Sequence, residues 1–219
     1  FFAGDDVIME LPRHDRPLTK YPEVAMTAAT TAGYTASASS ENNGTTTGLA
    51  YLAFDGVAGG DRGYHSSETL YSSGIYQGSA GLSGPGATSY DGEWIKLKLP
   101  TKIKVTGVSF APRQGLYLHR IPHKGYILGS NTGSDGSWEL VHSFDNVTTT
   151  QGVTKRINFT GTNAYYNHIA MVAEEVGLSE GYGSVLNFAE MEYYGYEEGD
   201  TSVDVVHRSI PNKPSPQHL

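Results

Sequence analysis

The sequence predicts an all-β protein, an antiparallel β-sandwich with extended arms at both ends. Apolar and charged residues alternate along residues 95–99, which is the pattern of a strand with one buried face. Gly, Asn and Asp residues separate many short segments that are rich in Val, Ile, Thr and Tyr, and no segment repeats apolar residues with a helical period. Many short strands joined by regular turns are typical of a sandwich or jelly roll.

The chain divides into an arm, a sandwich and a linker. Residues 1–21 are polar and interrupted by prolines, which indicates an N-terminal arm with one short strand near residues 7–11. The sandwich is expected over residues 22–196, and the acidic, then proline-rich residues 197–219 are expected to form a C-terminal linker. Within the sandwich, strands are predicted at residues 34–40, 95–99, 103–110, 125–130, 138–144, 153–159, 166–173 and 186–196.

Two local features stand out in this pattern. The buried positions change parity between Val105 and Val108, so a bulge or tight bend is expected at Gly107. Residues 66–91 are rich in Gly, Ser and Tyr and show no periodicity, which predicts a long loop with a functional or mobile character.

Composition excludes several classes of function. The net charge of −8 argues against a nucleic-acid partner, because phosphate binding needs a concentrated face of Lys and Arg. The chain has no Cys, which excludes disulfides, thiolate metal sites and a Cys nucleophile. No stretch approaches the ~20 apolar residues of a membrane-spanning helix. No metalloprotease, nucleophile-elbow or phosphate-loop motif occurs, so the chain is not expected to be an enzyme.

Several segments follow one another in the order of a known family. They are Ala53-Phe-Asp-Gly56, Gly63-Tyr-His-Ser-Ser67, Glu93-Trp-Ile-Lys-Leu-Lys-Leu99, Val105-Thr-Gly-Val-Ser-Phe-Ala-Pro-Arg-Gln114 and Asn187-Phe-Ala-Glu-Met-Glu-Tyr-Tyr-Gly195. Together they resemble the F5/8 type C (discoidin) domains and are similar to the family 32 carbohydrate-binding modules, over roughly residues 30–196. The resemblance implies a galactose-binding-like jelly roll. Tyr64 replaces the usual Trp, and the loop after Ser67 is longer than in the family.

The resemblance also implies site residues. His65 and Arg113 match positions that hydrogen-bond sugar hydroxyls in galactose-type binders. Loop tyrosines can supply a platform for the sugar ring, and the candidates are Tyr71, Tyr76, Tyr90, Tyr117 and Tyr182, of which Tyr71 and Tyr182 are assigned to that role. A structural Ca²⁺ is expected at Asp55 and Glu190, which match by motif, with Asp61 as an approximate third match. The alternatives are a carbonyl clamp or salt bridge for Arg113, a surface position for His65, and an Asx turn for Asp55.

Two functions are compatible with these observations. The first is a non-catalytic carbohydrate-binding and adhesion module, part of a larger protein, that binds a glycan or glycoprotein at an extracellular or virion surface. The second is a structural sandwich that assembles or decorates a particle without a ligand, because extended arms can add strands to neighbouring subunits. Residues 11–22 also resemble surface proteins of large algal viruses and marine phages.

Overall fold

The computed structural model of the protein describes residues 17–42, 47–148, 150, 152–178 and 184–199. This part of the chain is nearly all β, as predicted. Its strands are β1 (Thr19–Tyr21), β2 (Thr30–Thr31), β3 (Tyr34–Ala38), β4 (Tyr64–His65), β5 (Tyr71–Ser72), β6 (Ile75–Tyr76), β7 (Gly81–Ser83), β8 (Ser89–Asp91), β9 (Glu93–Ala111), β10 (Pro122–Ser130), β11 (Glu139–Phe144), β12 (Lys155–Asn158), β13 (Tyr166–Val176), β14 (Asn187–Phe188) and β15 (Glu190–Glu197). Short 3-10 helices occupy Ala50–Ala53, Pro85–Ala87 and Gly115–Arg120. The strand predicted near residues 7–11 and most of the C-terminal linker lie outside the described residues.

The 19-residue strand β9 joins the two halves of the sandwich. Its first half pairs with β3 and β13, and its second half pairs with β15 and β12, within the strand order β1-β15-β9-β13-β10-β11. Thr106 is an extra residue in β9, because Val105 and Gly107 pair with the consecutive residues Gly195 and Tyr194. The bulge predicted at Gly107 is therefore confirmed one residue away.

This bulge explains how one strand contributes to the core along its whole length. Ile103 and Val105 before it, and Val108 and Phe110 after it, are all at most 1% exposed. Without the additional residue, strand alternation would turn one of these pairs toward solvent. Full burial of each such side chain contributes roughly 1.5–3 kcal/mol.

Residues 66–91 are more ordered than the sequence indicates. They form β5 to β8, and Leu82 and Tyr90 pack in a second, smaller core with Leu128, Trp138 and Val172 on the outer face of the sheet. The prediction of one long loop is therefore wrong. Strands of two or three residues are too short to show a period in the sequence, and their position depends on the sheet beneath them.

The last residues of the predicted N-terminal arm join the sheet. Thr19–Tyr21 pair with β15 at the edge of the strand order, and the Nζ of Lys20 lies 2.8 Å from the Oε1 of Glu192. No helix in the described ranges is long and apolar enough to cross a membrane.

Candidate functional site

Three polar side chains come together at one end of the sandwich. His65 on β4 pairs with Asn187 on β14, and Arg113 follows β9 by two residues. All three are buried, at 8%, 0% and 7% exposure. Burial lowers the pKa of His65, and the positive charges of Arg113 and Arg120 lower it further. Both guanidinium groups are therefore close enough to interact electrostatically with the imidazole.

His65 is therefore a neutral imidazole near pH 7. Its Nδ1 lies 2.6 Å from the carbonyl oxygen of Ser66, so Nδ1 carries the proton and donates to that oxygen. The other ring nitrogen, Nε2, is then a hydrogen-bond acceptor. A hydroxyl group is a suitable donor to such a nitrogen, and a carboxylate is not.

The Arg113 side chain makes one hydrogen bond and one contact with an aromatic ring, and one of its nitrogen atoms lacks a hydrogen-bond partner among the described residues. Its Nη2 donates to the carbonyl oxygen of Asp61, and its guanidinium lies 5.1 Å from the ring centroid of Tyr117. Arg120 approaches the same ring at 4.8 Å. The carbonyl clamp that we considered for Arg113 is thus present, but its buried Nε has no hydrogen-bond partner among the described residues.

The amide of Asn187 is an unusual polar group at this end of the sandwich, because it is buried without hydrogen-bond partners among the described residues. Both its Nδ2 and its Oδ1 are buried, and within the described part of the chain neither has a hydrogen-bond partner. Unsatisfied buried polar groups are rare in native proteins and cost about 1–3 kcal/mol each. Sequence analysis did not identify this residue. The sequence feature that could have indicated Asn187 is its position as the single amide side chain within the otherwise apolar residues 185–189.

The structure changes which tyrosine is placed at the candidate sugar site. Tyr71 is 3% exposed, its hydroxyl donates to the carbonyl oxygen of Ala173 at 2.9 Å, and its ring packs against Tyr76. It is a core residue, so its assignment as a sugar platform is wrong; its two-residue strand is held against the end of β13 by this contact. Tyr182 lies outside the described residues. Tyr117 is the aromatic residue that the structure places beside Arg113.

The acidic residues fall into two groups. Gly56 N donates to the Oε2 of Glu190 at 3.0 Å, and Val57 N donates to the Oδ1 of Asp55 at 3.0 Å, which is the Asx turn considered above. Burial raises the pKa of Glu190 to about 8, with a further contribution from the nearby charge of Asp55. The Nε of Arg62 lies 2.6 Å from the Oδ2 of Asp55.

Asp61 contributes to the site through its backbone. No three His, Cys, Asp or Glu side chains of the described residues form a group that could hold a metal, so the Asp61 carboxylate does not complete a cluster with Asp55 and Glu190. Its carbonyl oxygen instead accepts from Arg113. The carboxylates of Asp55, on a glycine-rich turn, and of Glu190, at the start of β15, still suit a hard cation such as Ca²⁺, with backbone carbonyls as further ligands.

No protein-family model and no curated protein matches the sequence. Solved structures do match. The F5/8 type C domain of a Bacteroides fragilis protein has a TM-score of 0.52 at 12% identity, covering 75% of this chain and 93% of that one. A fucolectin from striped bass (Morone saxatilis) serum has a TM-score of 0.51 at 17% identity, covering 75% and 47%.

A family 32 module from Clostridium perfringens, in complex with GalNAc-β-1,3-galactose, has a TM-score of 0.49 at 21% identity and covers 74% of this chain and 94% of that one. At these identities the matches establish the fold alone. The fold implied by the sequence motifs is confirmed, and the chain is a β-sandwich with the fold of the F5/8 type C domains.

Proposed function

We propose that this protein is a non-catalytic carbohydrate-binding module whose ligand is held by His65 and Arg113. The observation that carries the proposal is the convergence of these two side chains at one end of the sandwich, next to the unsatisfied amide of Asn187 that is buried beside His65. The Nε2 of His65 and the guanidinium of Arg113 offer an acceptor and donors in one place, which is what a pair of sugar hydroxyls requires.

The aromatic residue beside these groups supports the same ligand class. Tyr117 lies against Arg113 and is half-buried, so its ring can line the site while Arg113 makes planar hydrogen bonds. The polar groups that converge are an amide, an imidazole and a guanidinium. Glycoside cleavage in most families needs a facing pair of carboxyl groups, so we expect binding without hydrolysis.

The proposal is tested by a glycan array followed by calorimetric titration of the best glycan. Arg113→Lys keeps the charge but removes Nε and the planar fork, and it is expected to weaken binding by about 10-fold or more. Arg156→Lys is the matched control, because the Arg156 guanidinium also stacks on a tyrosine ring, at 3.5 Å from Tyr194, outside the proposed site. Absence of binding to every glycan on a broad array would reject the proposal and favour the structural role.

We also propose that Asp55 and Glu190 hold a structural Ca²⁺. A divalent cation would supply the positive charge that allows Glu190 to ionise despite its burial, and the turn that bears Asp55 leads to the Asp61 carbonyl that contacts Arg113. Ca²⁺ is expected to raise the melting temperature of the protein at pH 8, and Glu190→Gln to reduce that increase. An equal increase with and without the Glu190 carboxylate would argue against this site.

We further propose that the module acts outside the cell, in adhesion at a cell or virion surface, as part of a larger protein. A fucolectin from fish serum has the same fold, so this sandwich occurs in an extracellular sugar-binding context. Binding of the protein to glycosylated cells, with competition by the glycan identified on the array, tests this role. Cell binding that persists in excess glycan would contradict it.

A further inference from the structure

A second cleft lies beside the 3-10 helix Gly115–Arg120, which contributes His119 to its lining. It has a volume of about 270 Å³, and ten residues line it: Ser73, His119, Ile121, His123, Val147, Thr148, Glu175, Val176, Gly177 and Leu178. Its apolar lining residues include Ile121, Val147 and Val176, which are buried at 1–4% exposure, and Leu178, which is 66% exposed. The cleft thus has both apolar and polar lining.

Two close backbone contacts shape this cleft. A Cβ atom on Gly177 would collide with the carbonyl oxygen of His119, and one on Gly74 would collide with the carbonyl oxygen of Val176. Gly177 N also donates to the carbonyl oxygen of Ile121 at 3.3 Å. The 3-10 helix, β13 and the β5–β6 turn are therefore held together by main-chain packing, which gives the cleft a preformed shape.

The polar groups of the cleft match sugar hydroxyls. The Nδ1 of His123 lies 3.0 Å from the carbonyl oxygen of Val147, so in the neutral ring this nitrogen donates and Nε2 is an acceptor. Glu175 is an acceptor whose Oε1 lies 3.6 Å from the Nζ of Lys124. Ser73 and Thr148 add hydroxyls that both donate and accept. A pyranose ring has one apolar face and a hydroxyl rim, and a cleft of about 270 Å³ accommodates one such ring.

The cleft and the proposed sugar site share a wall. Arg120, which approaches the ring of Tyr117 in the first site, directly follows His119, which lines the cleft. Consecutive Cα atoms are about 3.8 Å apart, which is less than the length of one sugar unit. We propose that the cleft is a second carbohydrate subsite, and that the module binds an oligosaccharide across both sites; this inference rests on the proposed function of the first site.

The test compares a short and a long ligand. For the best glycan on the array, its terminal monosaccharide and its di- and trisaccharide forms are titrated by calorimetry, with galactose and GalNAc-β-1,3-galactose as defined probes. The longer forms are expected to bind at least about 10-fold more tightly than the monosaccharide. His119→Ala and Glu175→Gln should each reduce the affinity for the longer forms to that for the monosaccharide. Neither variant should change monosaccharide binding, which also shows that the variants are folded.

His142→Ala is the matched control, because this imidazole lies outside the cleft, stacked on Phe159 at 4.3 Å, and its removal should leave both affinities unchanged. Equal affinity for monosaccharide and longer forms would overturn the second subsite and leave the first site intact. A preference for the longer forms that survives both cleft substitutions would overturn it as well. Absence of binding to any glycan would reject the proposed function together with this inference.

Discussion

Replacement of Asn187 separates a functional from a structural role. The Asn187 amide is fully buried, and in the described structure neither of its polar atoms has a partner, so the folded protein loses the hydration of both without a compensating hydrogen bond. Asn187→Ala removes both groups. If the buried amide becomes accessible when a ligand binds, the substitution should stabilise the free protein and weaken binding, because residues kept for binding are often not optimal for stability.

The magnitude follows from two opposing effects. Release of the buried amide, counted as one unsatisfied group, is worth about 1–3 kcal/mol. The loss of three heavy atoms leaves a cavity of roughly 25 Å³, which at about 24 cal/mol per Å³ costs about 0.6 kcal/mol. The free energy of unfolding should therefore increase by about 0.4–2.4 kcal/mol, and the melting temperature by about 1–10 °C for a chain of this size.

The assay is urea unfolding at pH 7, followed by calorimetric titration with the best glycan of the array. Asn131→Ala is the control, because its exposed Nδ2 donates to the carbonyl oxygen of Tyr165 at 3.1 Å, and it should affect neither measurement strongly. Destabilisation of Asn187→Ala by more than about 1 kcal/mol would refute the reasoning, because the amide would then contribute to the fold.

Three further predictions concern pH, calcium and the second core. Burial lowers the pKa of His65 below its usual value of 6.5, so glycan binding should persist at pH values just below 6.5. Binding should weaken only when the pH falls through the lowered pKa, because protonation removes the Nε2 acceptor. Glycan binding that already weakens above pH 6.5 would contradict this prediction. Burial raises the folded-state pKa of Glu190 from the unfolded value of 4.5 to about 8. The contribution of the protonated Glu190 to stability is therefore full below pH 4.5 and is lost as the pH rises to about 8. Urea unfolding without Ca²⁺ should detect a loss of roughly 3–5 kcal/mol over this range, and Glu190→Gln should abolish that loss. Leu82→Ala should lower the free energy of unfolding by about 2–4 kcal/mol without changing glycan affinity, since Leu82 lies in the second core; an equal loss of affinity would show that the outer face is coupled to the site.

Sequence patterns predicted the strands of the main sheet well. Residues 125–130, 138–144, 153–159, 166–173 and 186–196 coincide within three residues at either end with β10 to β15, apart from the break at Ala189. These strands are long enough for alternation to be visible, and each has a buried face that requires apolar side chains. The strands β4 to β8 have only two or three residues each, and they were not predicted because a strand of that length is too short to show alternation.

The candidate site was predictable in part. His65 and Arg113 were identified through the family motifs, and the structure brings them close enough for the charge of Arg113 to lower the pKa of His65. Asn187 was not assigned to the site, and Tyr117 was one of five loop tyrosines considered for the sugar platform. An amide in an apolar run reads as part of a strand, and whether its hydrogen bonds are satisfied depends on neighbours far away in the sequence. Tyr71 was assigned wrongly because exposure of a tyrosine cannot be read from a segment without periodicity.

The sequence by itself determined the all-β class, the parity change near Gly107, and the exclusion of disulfide and thiolate chemistry, because alternation and composition are local properties of the chain. Only the tertiary structure decided which polar groups are left without partners. The pairing of β4 with β14 places Asn187 beside His65, 122 residues earlier in the numbering, and buries its amide without a partner among the described residues. That burial results from long-range strand pairing, which no local pattern in the sequence shows.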